Sequence, residues 1–338
     1  MRSLEVADPW GLENLKVVER PDPTPGHGQV LVRMKAASLN YRDLLIISGS
    51  YARGPMGPGP LVPLSDGCGV VEAVGAGVTR VAVGDRVSTL FFQDWFAGRP
   101  TMAKVSTPLG QHIPGAGREL AVFSQEGVSK VPDFLTDHEV ATLPCAALTA
   151  WRSLFEDARV QPGDTVVLQG TGGVSIFGLQ FAAAAGCRTV ITSSSDEKLQ
   201  RAKALGADHT VNYRHTPQWS KAVRGVTDGA GADFIMEVGG AGTLGESLRA
   251  VRLGGHIAMI GLVARAGEPL DPTVLIGRAA RLQGVLVGSR EMFETMCRAI
   301  EARRIRPVVD KVYPWTEARE ALEAMRAGSH FGKIVLEF

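Results

Sequence analysis

Cysteine is scarce in this chain of 338 residues, and its four thiols, Cys68, Cys145, Cys187 and Cys297, include no C-x-x-C pair. That spacing argues against a disulfide framework and a structural zinc lobe, and fits a reducing cytoplasm. Long apolar runs are missing too: none approaches the roughly 18 residues that a membrane span needs. The opening residues Met1-Arg2-Ser3-Leu4-Glu5 have no apolar signal core, so the chain reads as soluble, with no membrane partner. Charge of one sign is absent, since 36 basic side chains face 35 acidic ones for a net charge of +1. A nucleic-acid partner would want a basic excess, which excludes that class of function. The seven histidines show no metal-ligand spacing, and His138, His209 and His256 are expected in structural or surface roles. No internal repeat, low-complexity tract or flexible linker interrupts the sequence.

What the chain has is glycine, 40 residues of it, together with an ordinary hydrophobic content of 45%. The length suits two domains, each able to bury a core. The run Thr165-Val166-Val167-Leu168-Gln169-Gly170-Thr171-Gly172-Gly173-Val174-Ser175 passes from a β-branched segment through clustered glycines into an alanine-rich segment. It reads as strand, phosphate loop and helix. Residues without Cβ let backbone N–H groups approach a pyrophosphate, and the helix N-terminus adds positive partial charge. The third glycine of the Gly-x-Gly-x-x-Gly spacing is Ser175, which would point into packing. A Gly-x-Ser-x-Gly hydrolase elbow is an alternative for the same stretch, but its fifth position is Phe177, which argues against a serine nucleophile.

To about residue 130 the pattern is short strands with glycine punctuation, as in Gln29 to Lys35, Gly69 to Gly75, Gly84 to Ser88 and Arg118 to Val122. A rolled β domain follows from it, with irregular loops at Ser48 to Pro63 and Phe92 to Pro114. From about residue 135 helical spacing appears, and strands are expected at Thr165–Gln169, Thr189–Thr192, His209–Asn212, Phe234–Val238 and His256–Ile260, alternating with helices. That order predicts a doubly wound parallel sheet. A sixth strand is expected at Leu282 to Gly288, then helices at Glu291 to Arg303 and Glu317 to Ala327 and a last strand at Lys333 to Phe338.

In order and spacing several segments resemble the medium-chain dehydrogenases/reductases, in their zinc-independent, quinone-oxidoreductase-like branch. They are Ser38-Leu39-Asn40-Tyr41-Arg42-Asp43, Gly67-Cys68-Gly69-Val70-Val71, Val83-Gly84-Asp85-Arg86-Val87, Cys145-Ala146-Ala147-Leu148-Thr149-Ala150-Trp151, the glycine loop with Gln180, and Ala204-Leu205-Gly206-Ala207-Asp208. The resemblance spans nearly the whole chain. It implies a GroES-like, β-rich catalytic domain (1–130 and 291–338), a Rossmann dinucleotide-binding domain (131–290), an active site in the cleft between them, and a homodimer joined through edge strands around Arg281 to Ser289. Zinc-dependent members of the family hold a catalytic metal with Cys, His and Cys. Here the first ligand position is Asn40, the Gly-His-Glu motif reads Leu64-Ser65-Asp66, and only Cys145 remains. Three protein ligands are not supplied, so no metal is expected.

An NAD-preferring Rossmann domain usually ends its second strand on an acid. This chain reads Thr192-Ser193-Ser194-Ser195-Asp196-Glu197-Lys198 there, which favours NADP(H). Ser193, Ser194 and Lys198 are the expected 2′-phosphate donors, with Tyr213 and Arg214 behind them. The competing reading has Ser195 or Asp196 capping the next helix and Lys198 solvated, and for Asp196 capping is expected over a cofactor role. Gly170, Thr171, Gly172, Gly173 and Val174 would hold the pyrophosphate. By resemblance Thr149, Gly261, Leu262, Val287, Gly288 and Ser289 would flank the nicotinamide. Lys333 is either a further cofactor contact or a plain surface lysine. Asn40 and Tyr41 are the expected donors to a substrate carbonyl, and Asp43 braces their loop. The function expected is NADPH-dependent hydride transfer to a quinone or activated carbonyl or alkene. The alternatives are an alcohol or aldehyde dehydrogenase using NAD(P), and a non-catalytic NADPH-binding protein.

Overall fold

The computed structural model describes residues 1–51, 59–261, 263 and 272–338. They form two compact units, Met1–Leu148 with Val287–Phe338, and Thr149–Leu286. The first unit reaches beyond the boundary expected near residue 130. The helix Asp137–Ala141 packs on the strands Gln29–Ser38, Asp66–Val74 and Lys333–Glu337, which ties the segment after residue 130 to that sheet. At the other end Gly288 abuts the Leu148 side chain, which an added Cβ would meet at 2.8 Å.

The first unit is built on a seven-stranded sheet in the order Val309–Pro314, Lys333–Glu337, Gln29–Ser38, Asp66–Val74, Arg86–Thr89 and Val128–Lys130, with Leu120–Ser124 also pairing on Gln29–Ser38. Its pairs are antiparallel except the first, which is parallel. Two apolar clusters fill it. One surrounds Ile46, Leu64, Trp315 and Leu336, and the other surrounds Val30, Val32, Val71 and Phe123. The long strand Gln29–Ser38 sits centrally because Val30, Val32, Met34 and Ala36 alternate inward, as period-two patterning dictates. Its end pairs Ser38 with Asp66 and with Val335, so three chain segments far apart in sequence converge there.

The second unit is a six-stranded parallel sheet in the order His209–Asn212, Arg188–Ser193, Thr165–Gln169, Ala232–Glu237, Val251–Met259 and Arg281–Gly284. The strand order reverses between Thr165–Gln169 and Ala232–Glu237, the place where doubly wound sheets bind ligands beyond the strand ends. Thr165–Gln169 is buried throughout, as a central parallel strand must be. The sixth strand is shorter than expected, Arg281–Gly284, and lies at the sheet edge; beyond it Val285 N–H still donates to Met259 at 3.0 Å. Among the described residues no helix is long and apolar enough to cross a membrane.

Candidate functional site

The chain leaves the strand Thr165–Gln169 through Gly170, whose φ of 71° lies in the left-handed region that glycine occupies without a steric cost. Gly172 then opens the helix Gly173–Ala184, and no side chain caps it. A Cβ at Gly170 or Gly172 would meet nothing within 4 Å, so the loop carries an open concavity against the helix N-terminus. That is the arrangement an anion such as a pyrophosphate requires. The helix is held onto the sheet by Ser175, whose buried hydroxyl donates to the Gln169 carbonyl at 2.5 Å. The close approach expected of a third glycine occurs three residues later. A Cβ on Gly178 would lie 2.7 Å from Leu168 and 3.0 Å from Met236.

Beneath the loop sits Glu237, fully buried at the end of its strand. It accepts from Gly239 N–H and Gly240 N–H at 2.9 Å and from the Thr243 hydroxyl at 2.5 Å, and on its other oxygen from the Gln169 amide at 2.7 Å and the Ser247 hydroxyl at 2.5 Å. One carboxylate thus pins the ends of two strands and the turn after the second. Sequence reading missed Glu237; its signal was an acid closing the apolar run Phe234-Ile235-Met236.

The neighbouring strand end carries Ser193, buried, and Ser194, half-buried. Ser193 Oγ accepts from Ser195 N–H at 3.3 Å, and its carbonyl accepts from Tyr213 N–H at 3.0 Å, which brings Tyr213 beside it. Ser195, not Asp196, caps the next helix by accepting from Lys198 N–H at 3.3 Å. Asp196 opens that helix and accepts from the Asn212 amide at 2.7 Å, so the capping expectation for Asp196 fails: its carboxylate has a partner at the end of the neighbouring strand. Lys198 is half-buried in that helix's first turn, and Tyr213 is 41% exposed.

In the first unit Asn40 N-caps the helix Tyr41–Ile47, and its backbone N–H donates to Asp43 Oδ2 at 2.8 Å. Burial drives the Asp43 carboxyl up to about 6, against the pull of the Arg42 charge and the Asn40 hydrogen bond. Arg42 is itself buried, bonded to the Leu109 carbonyl at 3.1 Å and the Gln111 side chain at 3.0 Å, with its guanidinium 4.5 Å from the Phe91 ring centroid. Asp66 accepts from the Ser65 hydroxyl at 2.7 Å and from Cys145 N–H at 3.2 Å. Burial raises its pKa, and the Lys333 charge works against that rise. Lys333 is no surface lysine. It is 4% exposed, and its Nζ donates to Asn40 Oδ1 at 2.7 Å and to the Leu39 carbonyl. Burial lowers its pKa, and Asp66, Cys145 and Asp43 oppose that. The Cys145 thiol is pushed far up by burial and by Asp66. Asn40 Nδ2 helps hold the charge on Asp66 yet completes no hydrogen bond of acceptable geometry with any described residue.

The structure therefore gathers Gly170 to Val174, Ser193, Ser194, Lys198 and Tyr213 at the strand ends of the second unit, with Gly261 following Glu237, whose carbonyl it bonds at 3.3 Å. Thr149 lies in that unit too, buried, its carbonyl accepting from Ser153 Oγ at 2.7 Å. Leu262 lies outside the described residues. Val287, Gly288 and Ser289 belong to the first unit, where Ser289 caps the helix Arg290–Arg303. Tyr41 is 42% exposed and stands beside Asn40.

Two family models match the chain: "Alcohol dehydrogenase GroES-like domain" over residues 26–133, and "Zinc-binding dehydrogenase" over 173–302. A zinc-type alcohol dehydrogenase-like protein of Schizosaccharomyces pombe is 45% identical over 334 residues, covering 97% of this chain and 96% of that one. The solved structure of an NAD-dependent alcohol dehydrogenase superposes with a TM-score of 0.92 at 34% identity, covering all of both chains. A mycobacterial protein complexed with NADPH superposes with a TM-score of 0.83 at 28% identity, again over all of both chains.

Proposed function

The chain belongs to the medium-chain dehydrogenase/reductase superfamily, and from that premise we propose that it is a zinc-independent, NADPH-dependent oxidoreductase that passes a hydride to a quinone or to an activated carbonyl or alkene. The oxidoreductase class and a nicotinamide cofactor follow from the family; the substrate class, the choice of NADPH and independence from zinc are the proposal.

One observation carries it: at the positions where zinc-dependent members keep metal ligands, the side chains of this chain surround an ammonium. Asn40 is neutral and gives its only acceptor to Lys333, and Asp66 is bonded by Ser65 and Cys145 N–H. Bringing a divalent cation beside the Lys333 ammonium adds like-charge repulsion in a buried setting. These residues do not fit a catalytic zinc.

The open glycine loop does fit a dinucleotide, which when bound supplies a hydride. Gly170 to Val174 would hold the pyrophosphate with backbone N–H groups. Ser193, Ser194, Lys198 and Tyr213 would donate to the 2′-phosphate, where an acid would repel it. Asn40 Nδ2 and the exposed Tyr41 hydroxyl are the donors for a substrate oxygen that gains negative charge. A quinone needs little more, since solvent can protonate the reduced product, whereas alcohol oxidation needs a base or metal to take the hydroxyl proton.

The likeness to an NAD-dependent alcohol dehydrogenase supports a second reading, oxidation of an alcohol or aldehyde with NAD(P). Spectrophotometry at the nicotinamide absorbance separates them. NADPH oxidation by 1,4-benzoquinone or an enone is expected, and alcohol-dependent NADP reduction without quinone turnover would overturn the proposal. Tight NADPH binding with no turnover on any acceptor would instead indicate a binding protein. Catalysis here needs a small-molecule substrate and no nucleic acid or membrane. The edge strand Arg281–Gly284 suits pairing with a second copy, a homodimer that a monomeric mass at micromolar concentration would refute. All four thiols are free, as a reducing cytoplasm would keep them.

A further inference from the structure

We propose that Lys333 is a positioning residue: it stands as the fixed cation of the polar cluster and turns the Asn40 amide so that its NH2 group is the free donor. The inference deepens the reduction reading and rests on it.

The chemistry of the pair decides the orientation. An ammonium has three donors and no acceptor, and an amide has one of each kind of face. With Lys333 Nζ 2.7 Å from the amide, the oxygen must face it, because the flipped amide would set N–H against N–H. Neither partner has freedom to escape. The Asn40 backbone is held by Asp43, and Lys333 is delivered by the sheet itself. Val335 pairs with Ser38, Leu39 N–H donates to the Ile334 carbonyl at 3.0 Å, and the Leu39 carbonyl accepts from Lys333 Nζ. Asn40 is 8% exposed, and its Nδ2, which faces Asp66 and helps lower that carboxyl's pKa, is with Asp43 Oδ1 and Arg42 Nε among the buried polar atoms that complete no hydrogen bond with the described residues. A buried donor without an acceptor is costly, and a substrate oxygen acquiring charge is the acceptor that relieves it. Burial lowers the Lys333 pKa, and Asp66 is the first of the groups that oppose the fall and favour the ammonium.

Because Lys333→Met alone leaves Asp66 buried without its counter-charge, the test uses Lys333→Met with Asp66→Asn, against the wild type. Three readouts apply: kcat with 1,4-benzoquinone, the NADPH dissociation constant by fluorescence, and the side-chain amide resonances of 15N-asparagine-labelled protein, the Asn40 pair assigned through Asn40→Ala. Relative to the wild type, kcat is expected to fall about 10- to 100-fold, the loss typical of a misplaced reacting group, while the NADPH constant stays within about twofold. Adding Asn40→Ala to the pair should cost no further activity, and the Asn40 NH2 resonances should move or double. An unmoved Asn40 pair overturns the proposal. So does a weaker NADPH constant at unchanged kcat, which would make Lys333 a cofactor contact. If the wild type turns over no acceptor, the reduction reading falls, and the Asn40 resonances still decide the role of Lys333.

Discussion

Around Asn40 the first unit buries an ammonium, a guanidinium and two carboxylates beside a half-buried thiol, whereas around Gly170 the second unit buries one carboxylate among the described residues and leaves a helix N-terminus open. In the first place the charges answer one another, and Asn40 Nδ2, Asp43 Oδ1 and Arg42 Nε complete no hydrogen bond with the described residues. In the second, Glu237 is consumed by five donors, and its work is to hold the turns in which the loop's backbone stays available. On the proposed reading, the capacity to bind resides in each case in what the surrounding network leaves unsatisfied. The reacting oxygen would meet a side-chain donor that was oriented by charge, and the cofactor would meet backbone donors that were oriented by glycine geometry.

The contrast is broken most severely at its structural end. Glu237→Ala removes the acceptor of five hydrogen bonds, leaving buried donors on Gln169, Thr243 and Ser247 and on two backbone amides. A loss of about 3–5 kcal/mol in unfolding free energy is expected from such a network, read by urea denaturation. A loss under about 1 kcal/mol would show that the turns hold without it.

The buried charges of the first unit make the next largest effect, and it depends on pH. Asp43 has a folded pKa of about 6 against an ordinary 3.8, raised by burial and by Asp66 and opposed by Arg42, the Asn40 N–H and Lys333. Between those values the folded chain binds more protons than the unfolded chain, so this group lowers stability as pH rises, by up to about 3 kcal/mol at neutrality. In Asp43→Asn that contribution is gone. The stability of the wild type minus that of the variant should therefore fall between about pH 4 and pH 7; a constant difference would refute the burial effect.

Sequence and structure part company along the same divide. The strand Thr165–Gln169 and the strand His209–Asn212 were legible to the residue, because local apolar runs and glycines set them. The loop Gly170 to Val174 was legible for the same reason. The Asn40 network was not. Lys333 and Asn40 are 293 positions apart and meet only through sheet pairing, so the burial of the lysine has no local signal. Of the two caps the sequence offered, Ser195 takes the role, and Asp196 is drawn off by Asn212 sixteen positions away. Ser289 and its neighbours read as the end of the Rossmann sheet, yet Gly284 ends that strand and Ser289 caps a helix of the other unit.

At the open helix N-terminus the sharper test is a gain of local stability with a loss of binding. Gly172 has φ −78° and ψ 178°, which any residue adopts, and open space where its Cβ would stand. Gly172→Asp supplies a better helix cap than glycine and places a carboxylate where a phosphate would sit. NADPH affinity should drop roughly 100-fold, about 2.7 kcal/mol, with the thermal midpoint unchanged or slightly raised. Unchanged affinity would remove this helix from the cofactor site.

The smallest effect separates the cofactors. Lys198 lies in the first turn of the helix that Ser195 caps, close in sequence to Ser193 and Ser194 at the strand end. If these groups meet a 2′-phosphate, Lys198→Ala should raise the KM for NADPH about 10-fold, near 1.4 kcal/mol for one charge-assisted contact. The KM for NADH, which has no such phosphate, should stay within about twofold. Equal changes for both cofactors would mean that Lys198 supports the strand end and reads no phosphate. The choice of NADPH would then rest on the missing acid at Ser193 and Ser194 alone, where a carboxylate in place of Ser194 should turn the preference toward NADH by repelling the phosphate.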